Sequence, residues 1–315
     1  MLHKARLTLF TLALCGSVCA QQARTPQQRQ DLANAVLHTL PVQGNIHMIT
    51  GPGGNITVQT GNNGVLLVDT MFAETVPKVV AEIEKLSHQP IRIIINTHMH
   101  GDHTGGNAAL QKMGATGLSP VAGGGATLIA QENVLNRMTE AAAKTNESPA
   151  EAGLPNHEYF EPTMDFYFNG EPVVIIHEAK AHTDGDSIVF FRRSDVLSVG
   201  DIFTPERYPF IDIARGGSIN GLIDALNHIL HLTVPEHLQE GGTRVIPGHG
   251  RLCNEADVVE YRDMVTIIRD RVKDAIKNGK NLEQVKAAKL TLDYDTQYGP
   301  GDTFVEAVYK SLGGK

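Results

Sequence analysis

The stretch Asn96-Thr97-His98-Met99-His100-Gly101-Asp102-His103-Thr104-Gly105-Gly106-Asn107 follows directly on the apolar run Ile91–Ile95. Three histidines and one carboxylate fall between positions 98 and 103, and imidazole nitrogen and carboxylate oxygen are donors that zinc accepts. Histidines that ligate from a helix stand four apart. His98 and His100 stand two apart, which puts both rings on one side of an extended segment. The expected element is a strand that ends in a tight, ligand-bearing loop.

Outward from this loop, strand and helix patterns alternate. Residues 46–50, 55–60 and 65–69 read as strands, and the Asn-Gly pair in Gly61-Asn62-Asn63-Gly64 marks a hairpin. Gly51-Pro52-Gly53-Gly54 reads as a turn, because no helix follows it to form a phosphate loop. Residues 74–87 switch to helical period, with Val76, Val79, Val80, Ile83 and Leu86 on one face. Strands are expected at 126–130, 164–168, 173–177, 187–191, 196–199 and 244–246, with Asn169-Gly170 as a second hairpin turn. Helices are expected at 107–112, 132–143, 256–276 and after Ser218, placed to cap a face of Ile219, Leu222, Ile223, Leu226, Ile229 and Leu230. The tail from 281 also reads as helical. With no dividing linker, the expectation is an α/β domain over 44–315, a four-layer αβ/βα sandwich.

Residues 1–20 carry His3, Lys4 and Arg6, an apolar stretch over 7–14 and a small Ala20 before Gln21. This is the pattern of a secretory signal peptide cleaved near Ala20, which implies a periplasmic or secreted protein. Residues 21–43 follow as an N-terminal leader, polar and Gln-rich over 21–29. Cleavage would shift the formal charge from −8 to −10, because residues 1–20 hold two of the 27 basic and none of the 35 acidic residues. An acidic exported chain suits a small-molecule substrate better than nucleic acid or an anionic membrane surface, and no later segment has the length of a membrane span. Cys15 and Cys19 leave with the signal. Cys253 then stands alone, so no intrachain disulfide is expected.

Three further ligand-type residues lie just beyond apolar strands, where rigid scaffolds place functional side chains: His182, Asp201 and His249. Taken with the first loop they give seven donors, more than one tetrahedral zinc can use. A pair of ions about 3.5–4 Å apart would use all seven and leave room for water.

On these residues the sequence resembles the metallo-beta-lactamase superfamily from about residue 44 onward. The signature His-x-His-x-Asp-His is present as His98-Met99-His100-Gly101-Asp102-His103, and His182, Asp201 and His249 supply the downstream His, Asp and His in order. The resemblance implies a metal site at the edge between two sheets, with one ion on His98, His100 and His182. It implies a second on Asp102, His103 and His249, with Asp201 bridging or bound to the second. The expected cofactor is two Zn(2+) per chain, with iron or manganese as alternatives. The resemblance also casts Asp69 as a buried carboxylate that braces the histidine loop, although by position alone it is equally a helix cap or turn residue.

A water bridging two zinc ions ionises near neutral pH, so the expected chemistry is hydrolysis, with Asp102 orienting the nucleophile. The narrower expectation is a carbonyl-type bond in a beta-lactam, lactone or thioester. The carboxylate at 201 resembles the hydroxyacylglutathione hydrolase and lactonase branches. Thr204 stands where lactonases carry tyrosine, however, and the basic C-terminal cluster expected for glutathione is not evident. Export points toward antibiotic-type substrates. Arg207, Tyr208 and Arg215 are candidates for holding a substrate carboxylate, or members of a salt-bridged loop. His157, Tyr159 and Phe160 either line the mouth of the site or anchor a long loop. Cys253, next to Leu252, reads as buried packing rather than a nucleophile. Two alternatives stay open: an oxidoreductase resembling persulfide dioxygenases, with one iron on His100, His182 and Asp201, and a non-catalytic binding protein.

Overall fold

Strand 64–68, Gly-Val-Leu-Leu-Val, is buried at every position, as a central strand covered on both faces must be. The computed structural model describes residues 24–118, 124–238 and 241–314, so the expected signal sequence and its cleavage point lie outside the described residues.

Among the described residues, seven strands form one sheet in chain order: β1 (His38–Gln43), β2 (Ile46–Thr50), β3 (Ile56–Gly61), β4 (Gly64–Val68), β5 (Ile91–Ile95), β6 (Thr127–Gln131) and β7 (His157–Tyr159). Pairing is antiparallel from β1 to β4 and parallel from β4 to β7. The second sheet runs β12-β11-β10-β9-β8, made of β8 (Thr163–Phe168), β9 (Glu171–Glu178), β10 (Asp186–Phe191), β11 (Val196–Ser198) and β12 (Arg244–Ile246). Its pairs are antiparallel except β11 with β12. The helices are α1 (Pro26–Asn34), α2 (Val76–Leu86), α3 (Gly101–Thr104), α4 (Asn107–Met113), α5 (Glu132–Thr145), α6 (Ile219–Leu232), α7 (Glu255–Lys277), α8 (Leu282–Ala287), α9 (Asp295–Tyr298) and α10 (Asp302–Ser311).

Strand alternation sorts most of the buried apolar residues into three large cores. Leu66, Val68, Ile93 and Ile95 meet Val173, Val189, Phe191, Val196 and Ile246 between the two sheets. Their neighbours Val65, Leu67 and Ile94 point the other way, onto Val76, Val79 and Ile83 of α2 and Leu110 of α4. Ile188, Leu197 and Val245 pack instead against Leu222, Leu226 and Ile229 of α6 and Tyr261, Val265 and Ile268 of α7. The period of two in each strand therefore builds helix, sheet, sheet, helix. The four expected layers are present, with mixed α and β structure throughout.

Two helix starts follow from local chemistry. Pro77 is tolerated in the first turn of α2, and the Ser218 side chain accepts from Gly221 N at 3.0 Å to cap α6.

One boundary differs from the expectation. Within the supposed leader, Thr25 and Gln28 form a capping box at the start of α1, and β1 pairs with β2 as the sheet's edge. The fold thus begins before residue 44. Polar side chains and a proline on β1 hid it, because an edge strand faces water on much of its surface.

Candidate metal centre

All the ligand-type residues sit at strand ends on one edge of the two sheets. His98 and His100 follow β5 in extended backbone. The chain then turns into α3, whose last two amides, His103 N and Thr104 N, bond back to the His100 carbonyl, each at 3.0 Å. That single turn swings Asp102 and His103 to face the same space. His182 lies in the loop between β9 and β10, Asp201 follows β11, and His249 follows β12.

Folding brings all seven together. Donor atoms of His98, His100 and His182 lie within 4.8 Å of one another, as do those of Asp102, His103 and His249, and those of His98, His103 and Asp201. Asp201 reaches toward both trios. Its Oδ1 is 3.2 Å from His103 Nε2 and 3.4 Å from His249 Nε2, and its Oδ2 is 3.9 Å from His182 Nε2.

Outer hydrogen bonds fix which nitrogen faces inward in four of the five rings. His182 Nδ1 lies 2.6 Å from the Phe210 carbonyl, which can only accept, so this nitrogen carries the proton. His100 Nε2 donates to Asp212 Oδ2 at 3.0 Å, and His103 Nδ1 to Asp69 Oδ2 at 2.7 Å. The Thr97 hydroxyl gives its proton to Asp69 Oδ2, and so accepts from His98 Nδ1 at 3.1 Å. Each inward nitrogen of a neutral ring is then a bare lone pair.

The consequence is plainest at His182 Nε2 and His100 Nδ1, two lone pairs only 2.9 Å apart. His98 Nε2 is buried with no hydrogen-bond partner among the described residues. Tetrahedral zinc bonds of about 2.0–2.1 Å put nitrogen donors roughly 3.3 Å apart, so the donor set fits a shared cation.

The two trios differ in charge. Burial, with the other histidines, holds His98 well below its ordinary pKa. Burial brings His182 down to about 4 despite the pull of Asp201. At His103 burial also opposes charging, but Asp201 and Asp69 outweigh it and the pKa rises well above the ordinary value. At His249 the same contest, against Asp102 and Asp201, ends upward. For Asp102 burial favours the neutral acid, yet His249 and His103 win and the carboxyl falls to about 2.

Glycines make the close approach possible. A Cβ on Gly54 would overlap the His103 ring, and one on Gly248 would run into Asp201 Oδ1. The cluster 51–54 is a turn, as expected, and its packing role follows from this contact.

The metal-facing side opens into a cleft of about 340 Å³. Its walls include Met99, Asp102, Thr204, Arg207, Phe210 and Arg215. Phe210, half exposed, lies edge-on to the His182 ring at 5.7 Å.

Asp69 accepts from His103 Nδ1 and from the Thr97 amide and hydroxyl, which ties the end of β4 to the histidine loop. Tyr208 does not reach the site: it is buried, stacked on Phe304, and its hydroxyl donates to the Thr291 carbonyl and Asp295. Aromatic surface on α10 draws it inward, so the expected substrate role is corrected. Arg215 lines the cleft but gives its guanidinium to Asp212 at 2.8 Å. Arg207 lines the cleft and has no salt bridge among the described residues. Tyr159 is buried in β7 and bonded to Ser187 Oγ, while Phe160 stays exposed, and neither lines the cleft. Cys253 is buried, and burial pushes its thiol up to about 12. Sequence reading missed Asp212 and Phe210, which lie between the arginines it weighed. The i,i+3 spacing of Asp212 and Arg215 was the available signal for the first.

Residues 49–252 match the family model described as the metallo-beta-lactamase superfamily. The alkyl/aryl-sulfatase BDS1 of Saccharomyces cerevisiae is 30% identical over 90 residues, 27% of this chain and 14% of the yeast protein. Among solved structures, the sec-alkylsulfatase Pisa1 from Pseudomonas sp. has a TM-score of 0.65 at 18% identity, covering 87% of this chain and 50% of that one. The chain thus spans about half the length of that neighbour. A metallo-beta-lactamase from Pontibacter korlensis has a TM-score of 0.55 at 16% identity, covering 73% of this chain and 99% of that one. These likenesses show the fold, and no helix among the described residues is long and apolar enough to cross a membrane. Because the family model spans more than half of the sequence, the protein belongs to the metallo-beta-lactamase superfamily.

Proposed function

We propose that this protein is an exported hydrolase that holds two zinc ions and cleaves a carbonyl-type bond in a beta-lactam, lactone or thioester. The observation that carries the reading is the position of Asp201, whose two carboxylate oxygens face different donor trios. When bound, a pair of such ions lowers the pKa of a coordinated water and polarises a carbonyl oxygen.

The chain's own residues supply the rest. Asp102 stands at the cleft wall as an ionised carboxylate, 3.2 Å from His249 Nε2, and can accept a hydrogen bond from the attacking water to aim its lone pair. Phe210 packs beside the His100 and His182 rings, Met99 lines the cleft, and Arg207, with no salt bridge among the described residues, offers a cation for an anionic substrate group. Water oxygen adds to the acyl carbon, the acyl–heteroatom bond breaks, and the leaving atom takes a proton. The cleft volume suits a small molecule. Export rests on the pattern of residues 1–20, and Edman sequencing of the periplasmic form should begin at Gln21.

The test is a hydrolysis panel with metal-loaded protein: a carbapenem, an acyl-homoserine lactone, a glutathione thioester, a phosphodiester and an alkyl sulfate. The last covers the chemistry named for the alkylsulfatase neighbours. Turnover of a carbonyl substrate, lost in His100→Ala with the fold intact, is the expected result. Cleavage of the alkyl sulfate alone would replace the carbonyl reading. One iron per chain by elemental analysis would favour the oxidoreductase instead.

A further inference from the structure

We infer that the strap 210–217, through Asp212 and Arg215, is the device that orients two of the three histidine rings of the first trio, His100 and His182. Asp212 is thus a positioning residue for metal capture. The inference rests on the metal-centre reading above and concerns how that centre is assembled.

Three bonds from this strap reach the trio. The Phe210 carbonyl takes His182 Nδ1, the Asp212 amide donates to the His182 carbonyl at 2.9 Å, and the Asp212 carboxylate takes His100 Nε2 at 3.0 Å. His182 is therefore held at ring and backbone, and His100 at its outer nitrogen. The choice of nitrogen matters. If Asp212 did not accept at Nε2, nothing would keep the His100 proton there, and its transfer to Nδ1 would block the inward lone pair.

Asp212 is itself held. Its side chain is only 5% exposed, and the oxygen that takes His100 also receives Arg215 Nη1 at 2.8 Å. Sharing one oxygen between a ring N–H and a guanidinium keeps the carboxylate charged and fixes its rotamer. Its carbonyl receives the amides of Arg215 and Gly217 at 3.0 and 2.9 Å, which closes the strap into a tight turn. Farther out, the Asp184 amide donates to the Arg215 carbonyl at 2.8 Å, and Asp184 pairs with Arg137 of α5 at 2.7 Å. The strap is thereby moored to a helix of the other half of the molecule. Among the described residues no comparable bond runs from it to Asp102, His103 or His249, and His103 takes its outer bond from Asp69 instead.

The two trios should consequently respond separately. The experiment loads the full chain with two zinc ions, then titrates it with a chelator and counts metal by elemental analysis. The same series with cobalt follows the visible absorption of each site. In Asp212→Asn, one ion should be released at about 10- to 100-fold lower chelator concentration while the other is held as in the parent. Arg215→Gln should give a smaller shift in the same ion, and Arg215→Lys should recover part of it. Circular dichroism and melting of the metal-free variants check folding, and Arg215→Gln carries the test if Asp212→Asn does not fold. Equal retention of both ions in every variant overturns the inference, as does loss of both in parallel. A parent protein that takes up no zinc overturns the metal-centre reading itself, a separate outcome. Arg215 as a substrate clamp would instead raise KM without moving either ion, which also refutes the positioning role.

Discussion

Asp69 Oδ2 lies 2.7 Å from His103 Nδ1 and 2.7 Å from the Thr97 hydroxyl, while Asp69 Oδ1 accepts the Thr97 amide at 2.8 Å. One buried carboxylate, at a left-handed residue with φ of 65°, ties the end of β4 to the histidine loop after β5. Asp69→Ala would leave a buried amide, hydroxyl and imidazole without an acceptor. Urea unfolding of the metal-free protein should show a loss of about 3–5 kcal/mol, and an unchanged midpoint would contradict the bracing role.

The charge difference between the trios predicts a stepwise loss of metal on acidification. His98 and His182 have depressed pKa values, so both are already neutral at pH 7 and bind a cation without first shedding a proton. His103 and His249 are raised and must give up protons, so affinity at their trio falls as protons become available. Dialysis over a falling pH series should remove the ion on Asp102, His103 and His249 first. Simultaneous release of both ions, or the opposite order, would count against this assignment.

Arg207 lines the cleft and, among the described residues, is held by no salt bridge. Arg207→Ala should raise KM for an anionic substrate by about tenfold and leave a neutral ester unaffected, since a charge-assisted bond is lost only with the former. Steady-state kinetics on a matched pair of substrates decides it. An equal effect on both would remove the anion-binding role.

Gly248 leaves space that Asp201 uses. In Gly248→Ala the added methyl would meet Asp201 Oδ1 and the backbone of Gly200, where little can yield. Overpacking of this kind costs about 1–3 kcal/mol, and the displaced carboxylate should cut bound metal below the parent value. Normal metal content in a folded variant would show that the contact is easily relieved.

Cys253 predicts a negative. With its thiol pushed up to about 12 by burial, it is a weak nucleophile at neutral pH. Cys253→Ser should keep turnover within about twofold, and the native thiol should resist iodoacetamide in the folded protein. Loss of turnover in a stable variant would require a different chemistry.

Much of this protein is legible in its linear sequence, for local reasons. A strand with alternating faces shows as a run of isoleucines at 91–95, and a ring pair at positions 98 and 100 can only share a side of extended backbone. Ser218 announces α6 because a cap bonds to a residue three positions on. Strand β1 escaped, since an edge strand needs few apolar residues, and β7 was too short to read.

The tertiary structure alone decided what depends on partners distant in sequence. His182 and His100 are 82 positions apart, and the 2.9 Å between their nitrogens is set by how two sheets pack. Tyr208 and Arg207 are adjacent, yet one is drawn into the core by Phe304 while the other faces the cleft. Asp212 looked like an ordinary loop residue, and only the position of His100 gave it a purpose. Donor types are written in the chain, but which atom points at a cation is fixed by the bond on the ring's far side, and that bond exists only once the chain has folded.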